Sequence, residues 1–160
     1  MSEMPSGRDL RFLCDQNLGR LAKWLRIMGF DTTYTRILNK DILENALSEE
    51  RIVLTRIRKM ARRKGCILIE SDHVREQLLH LDRILDLASK TRWFTRCNIC
   101  NETLICAKPY DVKDRVPEYV YLTQEEFARC PKCSRIYWKG THLVNSMKTI
   151  NAITAPREES

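Results

Sequence analysis

The sequence predicts an α/β protein: a parallel sheet with flanking helices over residues 9–92, followed by a small cysteine-bound unit over 93–148. Three observations carry that expectation. Short apolar or β-branched runs alternate four times with helix-period segments before residue 90. Two C-x-x-C pairs, Cys97/Cys100 and Cys130/Cys133, lie beyond that alternation. The net charge of +7 is also uneven: residues 1–96 hold 19 Lys/Arg against 13 Asp/Glu, and residues 97–160 hold 9 against 8.

The elements follow in order. Leu10–Cys14 is a short apolar strand. Leu18–Met28 places apolar residues at 18, 21, 22, 25 and 28, a helical period that Gly29 stops. Thr32–Thr35 is β-branched and reads as a second strand. Asp41 can N-cap a helix through Leu47. Ile52–Thr55 is a third strand, and a basic helix over Ile57–Lys64 follows it. After Gly65 come a strand at Cys66–Glu70 and a longer helical region from His73 to Ser89. Strands separated by helices imply parallel pairing with right-handed crossovers. Ligands of such sheets bind beyond the carboxyl ends of the strands. That rule points to Asp15-Gln16-Asn17, Arg36, Arg56-Ile57 and Ser71-Asp72.

Composition narrows the class. No apolar run approaches the roughly 20 residues that span a bilayer, and the N-terminus lacks the apolar stretch of a secretory signal. A cytoplasmic protein without a membrane partner is therefore expected. Seven cysteines, an odd count with four in turn-spaced pairs, argue for metal binding over a disulfide framework. Residues 149–160 read as a flexible tail.

The two C-x-x-C pairs are 29 residues apart. Each such turn brings two sulfurs to one metal, and two turns close a tetrahedral zinc shell. Cys97, Cys100, Cys130 and Cys133 are accordingly the expected ligands of a structural Zn²⁺. A closed Cys₄ shell leaves no position for substrate, and a redox role needs a single pair on a helix beside a strand. Between the pairs, Val112, Val116, Val120-Tyr121 and Phe127 suit a small ribbon of strands, with a loop around Pro109–Pro117.

Asp15 follows a buried strand and precedes a helix, a position suited to a catalytic carboxylate. Asp41 and Asp72 open the next helices, where each also suits an N-cap. Carboxylates converging at one sheet edge would bind Mg²⁺ or Mn²⁺ through oxygen, and such an ion activates water against a phosphodiester. The segment Arg56–Lys64 holds six basic residues in nine: Arg56, Arg58, Lys59, Arg62, Arg63 and Lys64. Arg20, Lys23 and Arg26 add charge to the first helix. Such a surface could hold phosphates or be only a solvated face.

The run from Asp15 to Thr32 (DQNLGRLAKWLRIMGFDT) resembles the opening of the Mut-seven C-terminal RNase family, which joins a PIN-like nuclease domain to a zinc ribbon. The likeness continues through Arg51–Arg56, Glu76–Leu78, Arg96–Asn101 and Cys130–His142. It implies a PIN-like parallel sheet and metal-dependent hydrolysis of RNA, with Asp15 and Asp41 matching the family's first two acids. One position departs: members usually read Thr-Arg-Asp after the third strand, and this chain reads Thr55-Arg56-Ile57.

The leading expectation is thus a ribonuclease acting on single-stranded RNA. Asp15 and Asp41 would bind Mg²⁺ or Mn²⁺, Asp72 would be a third member, and Asn17 would steady the site. Arg20, Lys23, Arg56, Arg58, Arg62 and Arg63 would contact RNA. Two alternatives stand beside it: an RNA-binding module without turnover, to which Ile57 points, and a protein-interaction module presenting Tyr137-Trp138.

Overall fold

A computed structural model of the protein describes residues 9–154. Strand β1 (Arg11–Cys14) leads into helix α1 (Gly19–Ile27), strand β2 (Asp31–Tyr34), helix α2 (Lys40–Ser48) and strand β3 (Ile52–Thr55). A single helical turn, α3 (Arg58–Ala61), precedes β4 (Cys66–Leu68), α4 (Val74–Leu85) and α5 (Leu87–Lys90). The four strands form one parallel sheet in the order β2-β1-β3-β4, with Phe12 opposite Thr32 on one side and Ile52 on the other. The expected α/β fold is present.

Side chains alternate across the sheet, as strand geometry requires. Phe12, Cys14, Ile52 and Leu54 enter one core, and Leu13 and Val53 enter the other. Residues Leu21, Leu25, Leu78, Leu81 and Leu87 of α1, α4 and α5 pack on the first face, while Leu43 and Ala46 of α2 pack on the second. All of β3 is buried, which is why it reads as an unbroken apolar run. The chain leaves β1 for β2 on one side and then crosses to β3 on the other. That reversal opens a crevice at the carboxyl ends of β1 and β3.

The cysteine-bearing part contains an antiparallel sheet of β5 (Ile105–Ala107), β6 (Phe127–Arg129) and β7 (Ile136–Trp138). Its insert carries α6 (Pro109–Val112) and α7 (Glu118–Thr123), and α8 (Thr141–Thr154) follows β7. Ala107, Val112, Val120 and Phe127 make a small core of their own. No helix among the described residues is long and apolar enough to cross a membrane.

Five local expectations are corrected. The N-cap of α2 is Asn39, whose Oδ1 accepts a 2.9 Å bond from the Ile42 N–H, and Asp41 lies inside the first turn. The basic helix shrinks to α3, because the chain must turn at Arg63–Cys66 to pair β4 with β3. Like charges four residues apart, Arg58 with Arg62 and Lys59 with Arg63, also disfavour a longer helix there. The region His73–Ser89 is two helices, broken where Asp86 takes a left-handed conformation (φ 54°). The insert, expected as a loop with Val112 and Val120 in strands, forms α6 and α7. Pro109 opens α6 and Pro117 caps α7, and proline is favoured at helix starts. Residues 149–154, expected in a flexible tail, complete α8, where Ile150 and Ile153 are buried in the first core. Residues 155–160 lie outside the described residues.

Candidate active edge and metal-binding cluster

Asp15 is the first residue past β1 and is only 1% exposed. Its N–H donates to the Leu54 carbonyl at 3.2 Å, extending the β1–β3 ladder by one step and bringing the carboxylate into the crevice. Oδ2 accepts from the Thr55 hydroxyl at 2.7 Å and from the Arg56 N–H at 3.1 Å. Oδ1 accepts from the Asn17 N–H at 3.3 Å. One buried acid is therefore held at the switch point of the sheet by a hydroxyl and two backbone donors, which suit a carboxylate.

The other acids are arranged differently. Asp41 is exposed on α2. Asp72 is 82% exposed, with Oδ1 2.7 Å from Arg56 Nη2. Among the described residues, the four cysteines form the one group of three or more His, Cys, Asp or Glu placed to share an ion. Asp15, Asp41 and Asp72 form no such group, and Ile57, 39% exposed, stands beside Thr55 with its N–H on the Thr55 hydroxyl.

The basic residues also divide. Arg56 joins the ends of two strands, donating to the Ser71 carbonyl at 2.8 Å while pairing with Asp72. Arg58 pairs with Glu70 at 3.3 Å, and Arg63 pairs with Glu44. Exposed pairs of this kind are weak, so a phosphate can compete for the guanidinium groups. Arg20, Lys23 and Arg62 are exposed.

The cysteine cluster is built from two matching turns. In the first, the Cys100 N–H points to Cys97 Sγ at 3.4 Å and the Asn101 N–H bonds the Cys97 carbonyl at 3.0 Å. In the second, the Cys133 N–H points to Cys130 Sγ at 3.5 Å and the Ser134 N–H bonds the Cys130 carbonyl at 2.9 Å. Asn101 and Ser134 are both left-handed, with φ of 65° and 64°. All four sulfurs lie within 4.8 Å of one another, and Cys97 Sγ is 3.8 Å from Cys133 Sγ. Four sulfurs about 2.3 Å from one ion in a tetrahedron stand about 3.8 Å apart, so the donor set fits Zn²⁺.

Tyr137 adds a neighbour that the cysteine spacing could not reveal. Its hydroxyl lies 3.0 Å from both Cys97 Sγ and Asn98 Oδ1, with its one proton shared between them. Burial works to raise the Cys97 thiol, but hydrogen bonds from Tyr137 and from the Cys100 and Ile99 N–H groups bring it down to about 7. Burial and the neighbouring cysteines push Cys100 up to about 12. Thiolates packed this closely repel one another, and a divalent cation relieves the repulsion.

A second missed cluster holds the ribbon against the sheet. Asp31 accepts from Arg51 at 2.9 Å, from Arg11 at 3.3 Å and from Asn101 Nδ2 at 2.7 Å. Asn101 Oδ1 in turn accepts from the Thr32 N–H at 2.9 Å. Arg26 bonds the Thr32, Asn98 and Ile99 carbonyls. The first cysteine turn is thereby docked on α1 and β2. Burial works to raise the Asp31 carboxyl, but the bonds from Arg51 and Asn101 and the Arg51 charge hold it at about 2.

Given this geometry, the comparison with protein families is decisive: the model for the Mut7-C RNAse domain matches residues 10–150. The chain belongs to the Mut7-C RNAse domain family. No curated protein and no solved structure matches it. Membership brings a nuclease-like function and RNA as substrate or partner. The Mut7-C match also runs through both cysteine turns and most of α8.

Proposed function

We propose that the protein is a metal-dependent ribonuclease that hydrolyses phosphodiester bonds of single-stranded RNA at the carboxyl edge of its parallel sheet. The observation that carries this reading is Asp15, buried at the β1–β3 switch point and held by Thr55 and Arg56. Asp15 and Asp41 would hold Mg²⁺ or Mn²⁺, with Asp72 as a third ligand once Arg56 is drawn to a phosphate. The ion would orient and activate water and offset charge on the reacting phosphate. Because Mg²⁺ keeps waters and substrate oxygens in its shell, an acid set that is dispersed without RNA fits substrate-completed binding. Asn17 steadies Asp15 through its N–H. Arg20, Lys23, Arg56, Arg58, Arg62 and Arg63 hold the RNA backbone. Residues 9–92 act as the nuclease unit and residues 93–148 as a ribbon ordered by structural zinc. Reduced cysteines suit a cytoplasmic location.

Ile57 favours a second reading, an RNA-binding domain without turnover. An isoleucine side chain stands where the family resemblance implies an acid, and it offers no oxygen to a metal. Cleavage of labelled single-stranded RNA with Mn²⁺ or Mg²⁺, set beside Asp15→Asn, separates the two. Cleavage lost in the variant, with zinc content and melting temperature retained, supports the nuclease. RNA bound by both proteins and cut by neither overturns it in favour of the binding domain. In that case Ile57→Asp, if it gains cleavage, shows that the remaining site is intact.

A further inference from the structure

A cleft of about 370 Å³ lies between the ribbon, α7 and α8, away from the acids. Four aromatic residues line it: Phe94, Tyr119, Tyr137 and Trp138. Two amides, Asn98 and Gln124, and the guanidinium-bearing Arg96 share the wall. Its volume falls within the range of small-molecule sites. Flat aromatic surfaces with a few amide and cationic groups match the chemistry of an unstacked nucleobase. Its faces stack, and its edges carry donors and acceptors.

Two details concern how the aromatic walls are held in place. A Cβ at Gly140 would stand 2.7 Å from Trp138 Nε1 and 3.0 Å from Cδ1, so the indole lies directly against glycine backbone. Gly140 is not among the positive-φ residues, so close approach, and not backbone conformation, explains the missing side chain. Phe94 occupies the left-handed region at φ 66°, an uncommon conformation for a bulky residue. Tyr119 lines the cleft yet is 70% exposed, which puts it at the mouth.

Charge leads to the same place. Ile27, the last residue of α1, lines the cleft. Arg20, Lys23 and Ile27 are spaced i, i+3, i+7 and share one stripe of that helix, and both basic residues are exposed. The stripe starts beside the Asp15 edge and ends at the cleft, a span of about 10 Å from Arg20 to Ile27 at 1.5 Å per residue.

We propose that this cleft holds one unstacked nucleobase of single-stranded RNA, whose backbone follows the Arg20–Lys23 stripe of α1 toward the acidic edge. The proposal rests on the reading that the protein acts on RNA, and it adds a base-binding site on the ribbon. The test uses the full chain with zinc bound and single-stranded oligoribonucleotides carrying 4-thiouridine at successive positions. Photo-crosslinks are mapped by mass spectrometry. One position should crosslink to a peptide containing Tyr119 or Trp138. Tyr119→Ala, at a largely exposed position, should keep its zinc and melting temperature. It should weaken binding about fivefold or more, the lower end for loss of one base-stacking aromatic. The same variant should bind an oligonucleotide abasic at that position as well as the unaltered protein does. Crosslinks confined to the sheet edge, or equal weakening for intact and abasic RNA, overturn the base site while leaving the RNA reading in place. Failure of the unaltered protein to retain any RNA overturns both.

Discussion

Asp31 and Asp15 sit at opposite ends of the same sheet and do opposite work. Asp15, at the carboxyl end of β1, faces the crevice, whereas Asp31, at the start of β2, joins Arg51 and Arg11 to Asn101 of the first cysteine turn. Replacing Asp31 with Ala leaves the Arg51 guanidinium, 8% exposed, without its main acceptor. The loss should be about 2 kcal/mol, the order expected for hydrogen bonds to a charged group, read as a lower denaturation midpoint. Its pH dependence has a definite sign. Because the carboxyl is held at about 2 in the folded protein, below its value in the unfolded chain, its contribution is complete above about pH 4 and fades as pH falls toward 2. Melting curves of the two proteins should therefore converge in acid; a constant gap down to pH 2 would show that the carboxylate charge is not what stabilises. Asp15 is legible in the sequence because a strand end followed by a helix marks a ligand edge. The Asp31 cluster is not, since its partners are 20 and 70 residues away. Asp41 resembles a cap in sequence, but Asn39, two residues earlier, competes for that role and has the extended backbone a cap needs.

At the scale of elements, the two cysteine turns are short hairpins that a three-stranded sheet of three-residue strands cannot stabilise alone. Structural zinc sites supply on the order of 10 kcal/mol in small modules, far more than the ribbon core of Ala107, Val112, Val120 and Phe127 could replace. Cys130→Ser should lower bound zinc from one per chain to near zero, measured by atomic emission. A strong chelator should expose Tyr137 and Trp138 to solvent, seen as a shift in intrinsic fluorescence. Retained zinc in Cys130→Ser would remove Cys130 from the ligand set. The ligand turns are readable because C-x-x-C spacing is a local signal. The insert is not, because four- and six-residue helices started by proline look like loop sequence.

At the scale of the molecule, electrostatics and packing make separate predictions. RNA affinity should fall steeply with salt, and Arg20→Ala with Lys23→Ala should reduce the log–log slope by about one for each phosphate no longer neutralised. An unchanged slope would remove α1 from the RNA path. Packing depends on α8, which leaves the ribbon and returns to α4 and α5 so that Ile150 and Ile153 finish the first core. Ile150→Ala should cost about 2–5 kcal/mol and lower the melting temperature of the whole chain, although the residue lies far in sequence from the strands it supports. The strand and helix alternation makes the sheet legible, but the return of α8 is hidden, because the polar run that follows Ile153 masks the pair of apolar anchors before it. Protein synthesis runs from the amino end, so the ribosome releases the sheet and α4 well before it releases Ile150. During that interval α4 has α1 beside it but lacks α8, so the nascent sheet half keeps part of its first core open until a helix encoded some sixty codons downstream emerges.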